Sequence, residues 1–218
     1  MCAAFTLKPK AEQIQKIFDV EVPSDFGFDR KILPQTLSWV VLKKKTWVLS
    51  KMTFSLTPSW SKEPKVKFAT HNARLETILE KPTWKGPFQS QRCLIPISSF
   101  IEPIYTGEWA GNMIAFTEAN EELMVAAGIY DTWMNPATGE LKESFAIITK
   151  DPPDFIAKMG HDRCPVFLTP EHFHKWMDFE KEDTRKTFEY LTNLPIELQW
   201  KVSIDRPLAK GWQKRIQD

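Results

Sequence analysis

Arg92-Cys93-Leu94-Ile95-Pro96-Ile97-Ser98-Ser99-Phe100-Ile101-Glu102 is a nearly unbroken apolar run that stops at a carboxylate followed by Pro103. It reads as a buried strand over 92–101, and it opens a series. Strand patterns recur at 112–117, 123–133 and 144–149, with Asn135-Pro136-Ala137-Thr138-Gly139 as a clear turn between the last two. Upstream, 37–42 and 46–54 flank a Lys43-Lys44-Lys45 tip and predict a hairpin; downstream, 198–204 predicts a late returning strand. Short strands joined by turns, with helical segments on either side, give the expected class: α+β, one domain over 1–218, with a mainly antiparallel, barrel-like β-sheet and peripheral helices.

The helices read less evenly. Residues 11–20 place Ile14, Ile17 and Phe18 on one face. The stretch 57–67, carrying Pro58 and Pro64, is expected to be irregular, whereas 72–79 has helical composition and should stop near Pro82. Asp151 before Pro152 is a candidate N-cap for a helix reaching about Met159, Thr169-Pro170 repeats that signal for a helix bearing Phe173, Trp176 and Met177, and 183–191 is amphipathic. No internal repeat, low-complexity tract or linker divides the chain.

Composition bounds the function. The 218 residues are 42% hydrophobic, with nine Trp and fifteen Phe, which favours a folded, buried core over disorder. No apolar run has transmembrane length and no signal-peptide pattern opens the chain, so no membrane partner and a cytoplasmic location are expected. Cys2, Cys93 and Cys164 are odd in number and lack Cys-x-x-Cys spacing, which argues for free thiols. The net charge of +1 hides a segregation: from Arg30 to Arg92 thirteen Lys or Arg face three acids. Interleaved with Trp39, Trp47, Phe54, Trp60, Phe68 and Trp84, this is the composition of a single-stranded nucleic-acid surface. The structural alternative is equally open: lysines solvating strands whose rings point inward.

Few residues are candidates for chemistry. Loss of Met1 would give Cys2 a free α-amine beside its thiol, a 1,2-aminothiol that can capture an aldehyde as a Schiff base and close to a thiazolidine. His161 lies in Met159-Gly160-His161-Asp162-Arg163-Cys164-Pro165, at a helix-to-strand junction where a side chain can face a cleft. Glu102, ending the apolar run, is a candidate proton donor, and Asn72 and Arg74 open a segment where an amide could orient a reacting group and a guanidinium a phosphate. His172 and His174 are two apart on an expected helix and face apart, so no metal site is expected there. The chain has no His-Glu-x-x-His motif, phosphate-cradling glycine loop or Gly-x-Ser-x-Gly elbow.

Taken together these pieces resemble the SOS response-associated peptidase (SRAP) family. The blocks that match are Cys2 after Met1, Pro58 and Trp60, Asn72-Ala73-Arg74-Leu75-Glu76-Thr77, Lys81-Pro82, Arg92-Cys93-Leu94-Ile95-Pro96 leading to Phe100 and Glu102, Ala127-Gly128-Ile129-Tyr130-Asp131-Thr132-Trp133, Ser144-Phe145-Ala146-Ile147-Ile148-Thr149, and His161-Asp162-Arg163-Cys164-Pro165. They keep the family's order and span nearly the whole chain. The resemblance implies a sensor of abasic sites in single-stranded DNA that crosslinks through Cys2, with an autoproteolytic activity alongside. It implies Cys2 as nucleophile, Asn72 as orienting group, Glu102 as general acid/base and His161 as proton-transfer partner, with Arg74 on a phosphate and Pro34 and Trp60 shaping the DNA path. No cofactor and no metal are implied, and the expected partner is abasic single-stranded DNA bound by a monomer. The chain departs from the family where Ala3 and Ala4 replace the usual Gly-Arg, Phe54 and Ser55 replace Trp-Gly, Pro103 replaces an aromatic, and Cys164 replaces Met. Two alternatives stay open: a cysteine-nucleophile peptidase using His161 as base, and a noncatalytic single-strand-binding module.

Overall fold

The computed structural model describes residues 4–8, 10–28, 31–178 and 183–216. Its elements run β1 (Ala4–Thr6), α1 (Ala11–Phe18), β2 (Lys31–Ile32), β3 (Leu37–Lys43), β4 (Trp47–Phe54), β5 (Asn72–Arg74), α2 (Pro82–Ser90), β6 (Arg92–Ile97), β7 (Ser99–Ile104), β8 (Asn112–Glu118), β9 (Met124–Met134), β10 (Leu141–Lys150), α3 (Asp154–Lys158), β11 (Cys164–Pro165), α4 (Pro170–Met177), α5 (Thr184–Asn193) and β12 (Trp200–Pro207). Short 3-10 turns lie at Leu75–Thr77 and Trp212–Ile216.

The apolar run that opens at Arg92 serves two sheets. It breaks at Ser98: β6 joins one sheet and β7 the other. The first is closed, because β10, β4, β3, β6 and β9 pair in sequence and β9 returns to β10 from Leu141↔Met134 to Ile147↔Gly128. Closure leaves those five strands without an open edge, which is how the barrel-like expectation is met. The Asn135–Gly139 turn forms as the sequence predicts, with the Gly139 N–H donating to the Asn135 carbonyl at 2.8 Å. The second sheet, β12-β8-β7-β1-β2, is antiparallel throughout its described pairs. Side chains from both fill one core, in which Phe5 meets Phe54 edge-on at 5.2 Å, Phe54 stacks on Phe145 at 5.3 Å, and Phe100 stacks on Phe116 at 4.8 Å. Packing in the barrel is tight: a Cβ at Gly128 on β9 would stand 2.4 Å from Ile95 Cδ1 and 2.9 Å from Cys93 Sγ.

Several expectations change. Residues 72–79 are a strand and a 3-10 turn instead of a helix, because Asn72, Ala73 and Arg74 pair in parallel with Ile147, Ile148 and Thr149. A ladder with a strand so distant in sequence overrides local propensity. The expected stop at Pro82 is the first turn of α2, where proline's fixed φ and missing N–H suit a helix start. Asp151 does not cap α3; Pro153 holds that position. Of the aromatics in the basic segment, Trp39, Phe54 and Trp84 are buried, so the inward-facing alternative holds for them; Trp60 (55% exposed) and Phe68 (51%) stay on the surface. Arg92 is also internal, donating to the Phe88 and Trp176 carbonyls, and burial lowers its pKa to about 10. Among the described residues no helix is long and apolar enough to cross a membrane.

Candidate functional site

Glu102 does not end its strand. β7 continues through Pro103 to Ile104, and Glu102 pairs with Ile114 on the face it shares with Phe100, turned toward the core. Its side chain is wholly buried, and His161 Nε2 stands 3.2 Å from its Oε2, itself only 5% exposed. A carboxyl and an imidazole this close and this deeply buried are a geometry in which a proton can be exchanged between side chains.

His161 is held from its other side. Its Nδ1 lies 2.9 Å from the Arg163 carbonyl and 3.2 Å from the Arg163 N–H, so it can donate to the first or accept from the second according to tautomer. Arg163 is clamped in turn: its guanidinium donates to both Glu76 carboxylate oxygens, at 2.6 and 2.9 Å, and to the Thr149 carbonyl at 2.8 Å. Burial pushes the Glu76 carboxyl up, but hydrogen bonds and charge from Arg163 outweigh it and hold the group below the usual carboxylate range. Just before His161, Gly160 takes φ +91°, and a Cβ there would stand 2.7 Å from the Thr106 carbonyl oxygen. Only glycine lets the loop lie this close to the end of β7.

An open cleft of about 920 Å³ is lined by His161 of this pair, by His71, and by Arg206, Lys210 and Trp212. His71 leads into β5, its ring 5.9 Å from Phe54. Burial lowers its pKa below the usual 6.5, with the charge of Glu102 opposing that shift. The next residue, Asn72, is buried in β5.

The residues expected from sequence are therefore not all in one place. Glu102 and His161 meet, and Asn72 adjoins a cleft-lining residue. Arg74 is exposed at the end of β5, Trp60 is exposed on a loop tied down by a bond from the Ser59 N–H to Asp131 Oδ2 (2.8 Å), and Pro34 sits in the turn before β3; none of the three lines the cleft. Cys2 lies outside the described residues. The first described residue, Ala4, pairs with Ile101, the neighbour of Glu102. The other two thiols are unlike a nucleophile: Cys93 and Cys164 are buried, and burial drives both pKa values up, away from thiolate. Sequence reasoning missed His71, whose signal was adjacency to Asn72, and the residues after 204, which carry no motif.

A family model described as SOS response associated peptidase (SRAP) matches residues 1–204. Among curated proteins, the chain is 29% identical to the abasic site processing protein YoqW of Bacillus subtilis over 198 residues, covering 89% of this chain and 86% of that one. It is 30% identical to the abasic site processing protein YoaM of the same organism over 182 residues, covering 82% and 79%. It is 30% identical to the abasic site processing protein HMCES of Gallus gallus over 166 residues, covering 66% of this chain and 49% of the longer relative. Crystal structures from Bordetella bronchiseptica and Bacteroides thetaiotaomicron share the fold, each with a TM-score of 0.76 at 21% and 22% identity; they cover 94% of this chain and 100% and 92% of their own.

Proposed function

Because the chain belongs to the SOS response associated peptidase family, we propose that it processes abasic sites in DNA, and that it does so by capturing the ring-opened sugar of a single strand on Cys2. Relatives named for abasic site processing support the coarse reading. The observation that carries the finer one is the buried Glu102–His161 pair, 3.2 Å apart, with Glu102 on β7, the strand that pairs with β1.

With Met1 removed, the Cys2 amine adds to the C1′ aldehyde and forms a carbinolamine. Glu102 protonates its hydroxyl, water leaves, and a Schiff base remains. The Cys2 thiol then adds to the imine carbon while its proton passes to the imine nitrogen, so aldehyde and aminothiol become thiazolidine plus one water. His161 exchanges the proton of Glu102 between steps, and Asn72 orients the reacting groups. Single-strand preference arises because a sugar must be splayed out of a helix to reach a terminal amine in a cleft.

The test is a denaturing gel of the protein, its mass first shown to lack Met1, after incubation with abasic single-stranded DNA. A retained band is expected with wild type, absent in Cys2→Ala, and formed about 10²- to 10⁴-fold more slowly in Glu102→Gln. An undiminished band in Cys2→Ala would sink the thiazolidine route; a noncatalytic module would bind intact and abasic strands alike and give no band.

A further inference from the structure

The chain after Ile204 is shaped to present charge to the cleft. β12 pairs regularly with β8 from Trp200↔Glu118 to Ile204↔Ile114, then shifts register so that Arg206 and not Asp205 stands opposite Met113. Residues opposite one another in a ladder point to the same face, and one inserted residue reverses the face taken by those beyond it. Without the bulge Arg206 would share the inward face of Ile114 and Glu102. With it, Arg206 stands beside Met113 and Pro103, on the wall of the cleft. The extra residue is pinned: Asp205 pairs with Lys31 at 2.5 Å and is only 13% exposed, whereas its contact with Arg206 is long, at 3.8 Å.

Residues 208–212 are anchored too. The Leu208 N–H donates to the Gly111 carbonyl at 2.8 Å. Trp212 lies over Gly111, where a Cβ would stand 3.1 Å from the indole, and beside Tyr105 with ring centroids 6.4 Å apart. Lys210 is exposed and has no ion-pair partner among the described residues. Asp162 is the one acid among the residues that line the cleft, against Arg206 and Lys210.

We propose that residues 206–212 form a strand-binding wall of the cleft, with Arg206 and Lys210 on the phosphates flanking the reacting sugar and Trp212 beside Tyr105 as the platform for a neighbouring unpaired base. The identity of the strand rests on the abasic-site reading above. Cations spaced around flat rings are what single-strand binding requires: the charges take the backbone and the rings take any base. An isolated anion would use the two cations and leave the rings idle.

The test is binding of an intact, fluorescently labelled single-stranded oligonucleotide across a salt series, read by anisotropy. The double variant Arg206→Ala with Lys210→Ala should make the slope of log K against log salt less steep by about 1.4, at about 0.7 per single-strand phosphate contact. Trp212→Ala should weaken binding about 5- to 150-fold, with Trp212→Phe restoring most of it. Thermal melts establish that each variant is folded; if Trp212→Ala is not, the double variant decides. Wild-type binding with an unchanged slope in the double variant overturns the wall while leaving the abasic-site reading intact. A wild type that neither binds intact strands nor crosslinks abasic ones overturns both.

Discussion

Ser55 adopts φ +99°, in the left-handed region, and is buried just after β4, where its N–H donates to the Phe145 carbonyl at 3.0 Å. Serine there carries a backbone strain of about 1–3 kcal/mol that glycine does not, offset by about 0.5–1 kcal/mol for the greater freedom of glycine in the unfolded chain. Ser55→Gly should therefore stabilise the protein by about 1 kcal/mol, a rise in Tm of about 2–4 °C for a chain of this size. A fall in Tm on calorimetry would mean that the Ser55 hydroxyl contributes more than its backbone costs. The sequence flagged this position by its resemblance to a family that places glycine there, but the torsion angle supplies the reason. Glu102 gives the complementary lesson: its place after an apolar run made it a candidate proton donor at a strand end, whereas its position inside the strand follows from the pairing of Pro103 and Ile104 with Met113 and Asn112.

At the scale of elements, the Glu76–Arg163 clamp joins the 3-10 turn after β5 to the loop that carries His161. The carboxyl of Glu76 is lowered by that pairing in the folded state, so its contribution is present in full above its unfolded value near 4.5 and is lost as pH falls through the lower folded value. Glu76 is 48% exposed in its side chain, which screens the pair. Glu76→Gln should thus cost about 1 kcal/mol at pH 7 and little at a pH well below that lowered folded value. Denaturant melts of both proteins at the two pH values check this, and an equal loss at both would show that packing and not charge is at work. The turn and β5 are also where the sequence misled most. Asn72–Arg74 has helix-compatible residues, and only β10, far along the chain, makes it a strand. By contrast, β3 and β4 were legible because a hairpin is local: its pattern and its turn sit side by side.

Across the whole molecule, charge and thiols are sorted by burial. The basic segment is not one continuous surface, since Arg92 faces the core while Lys43 and Lys51 pair with Asp178 and Asp25. Cys93 and Cys164 are sealed inside, which predicts that neither is alkylated by iodoacetamide in the native protein and both are after denaturation, as mass spectrometry of proteolytic fragments will report. Native labelling of either would mean that the core opens locally on the time scale of the reaction. The strand-rich class, the family and the residue types capable of acid–base and nucleophilic work were readable from the amino-acid order, because periodicity, turn chemistry and motif order are properties of neighbours along the chain. The burial of Glu102 against His161, the strand at 72–74 and the bulge at Asp205 that turns Arg206 toward the cleft came from the folded chain alone. Each of these depends on which distant segments pair and in what register, and a shift of one residue in that register reverses the face of every side chain beyond it.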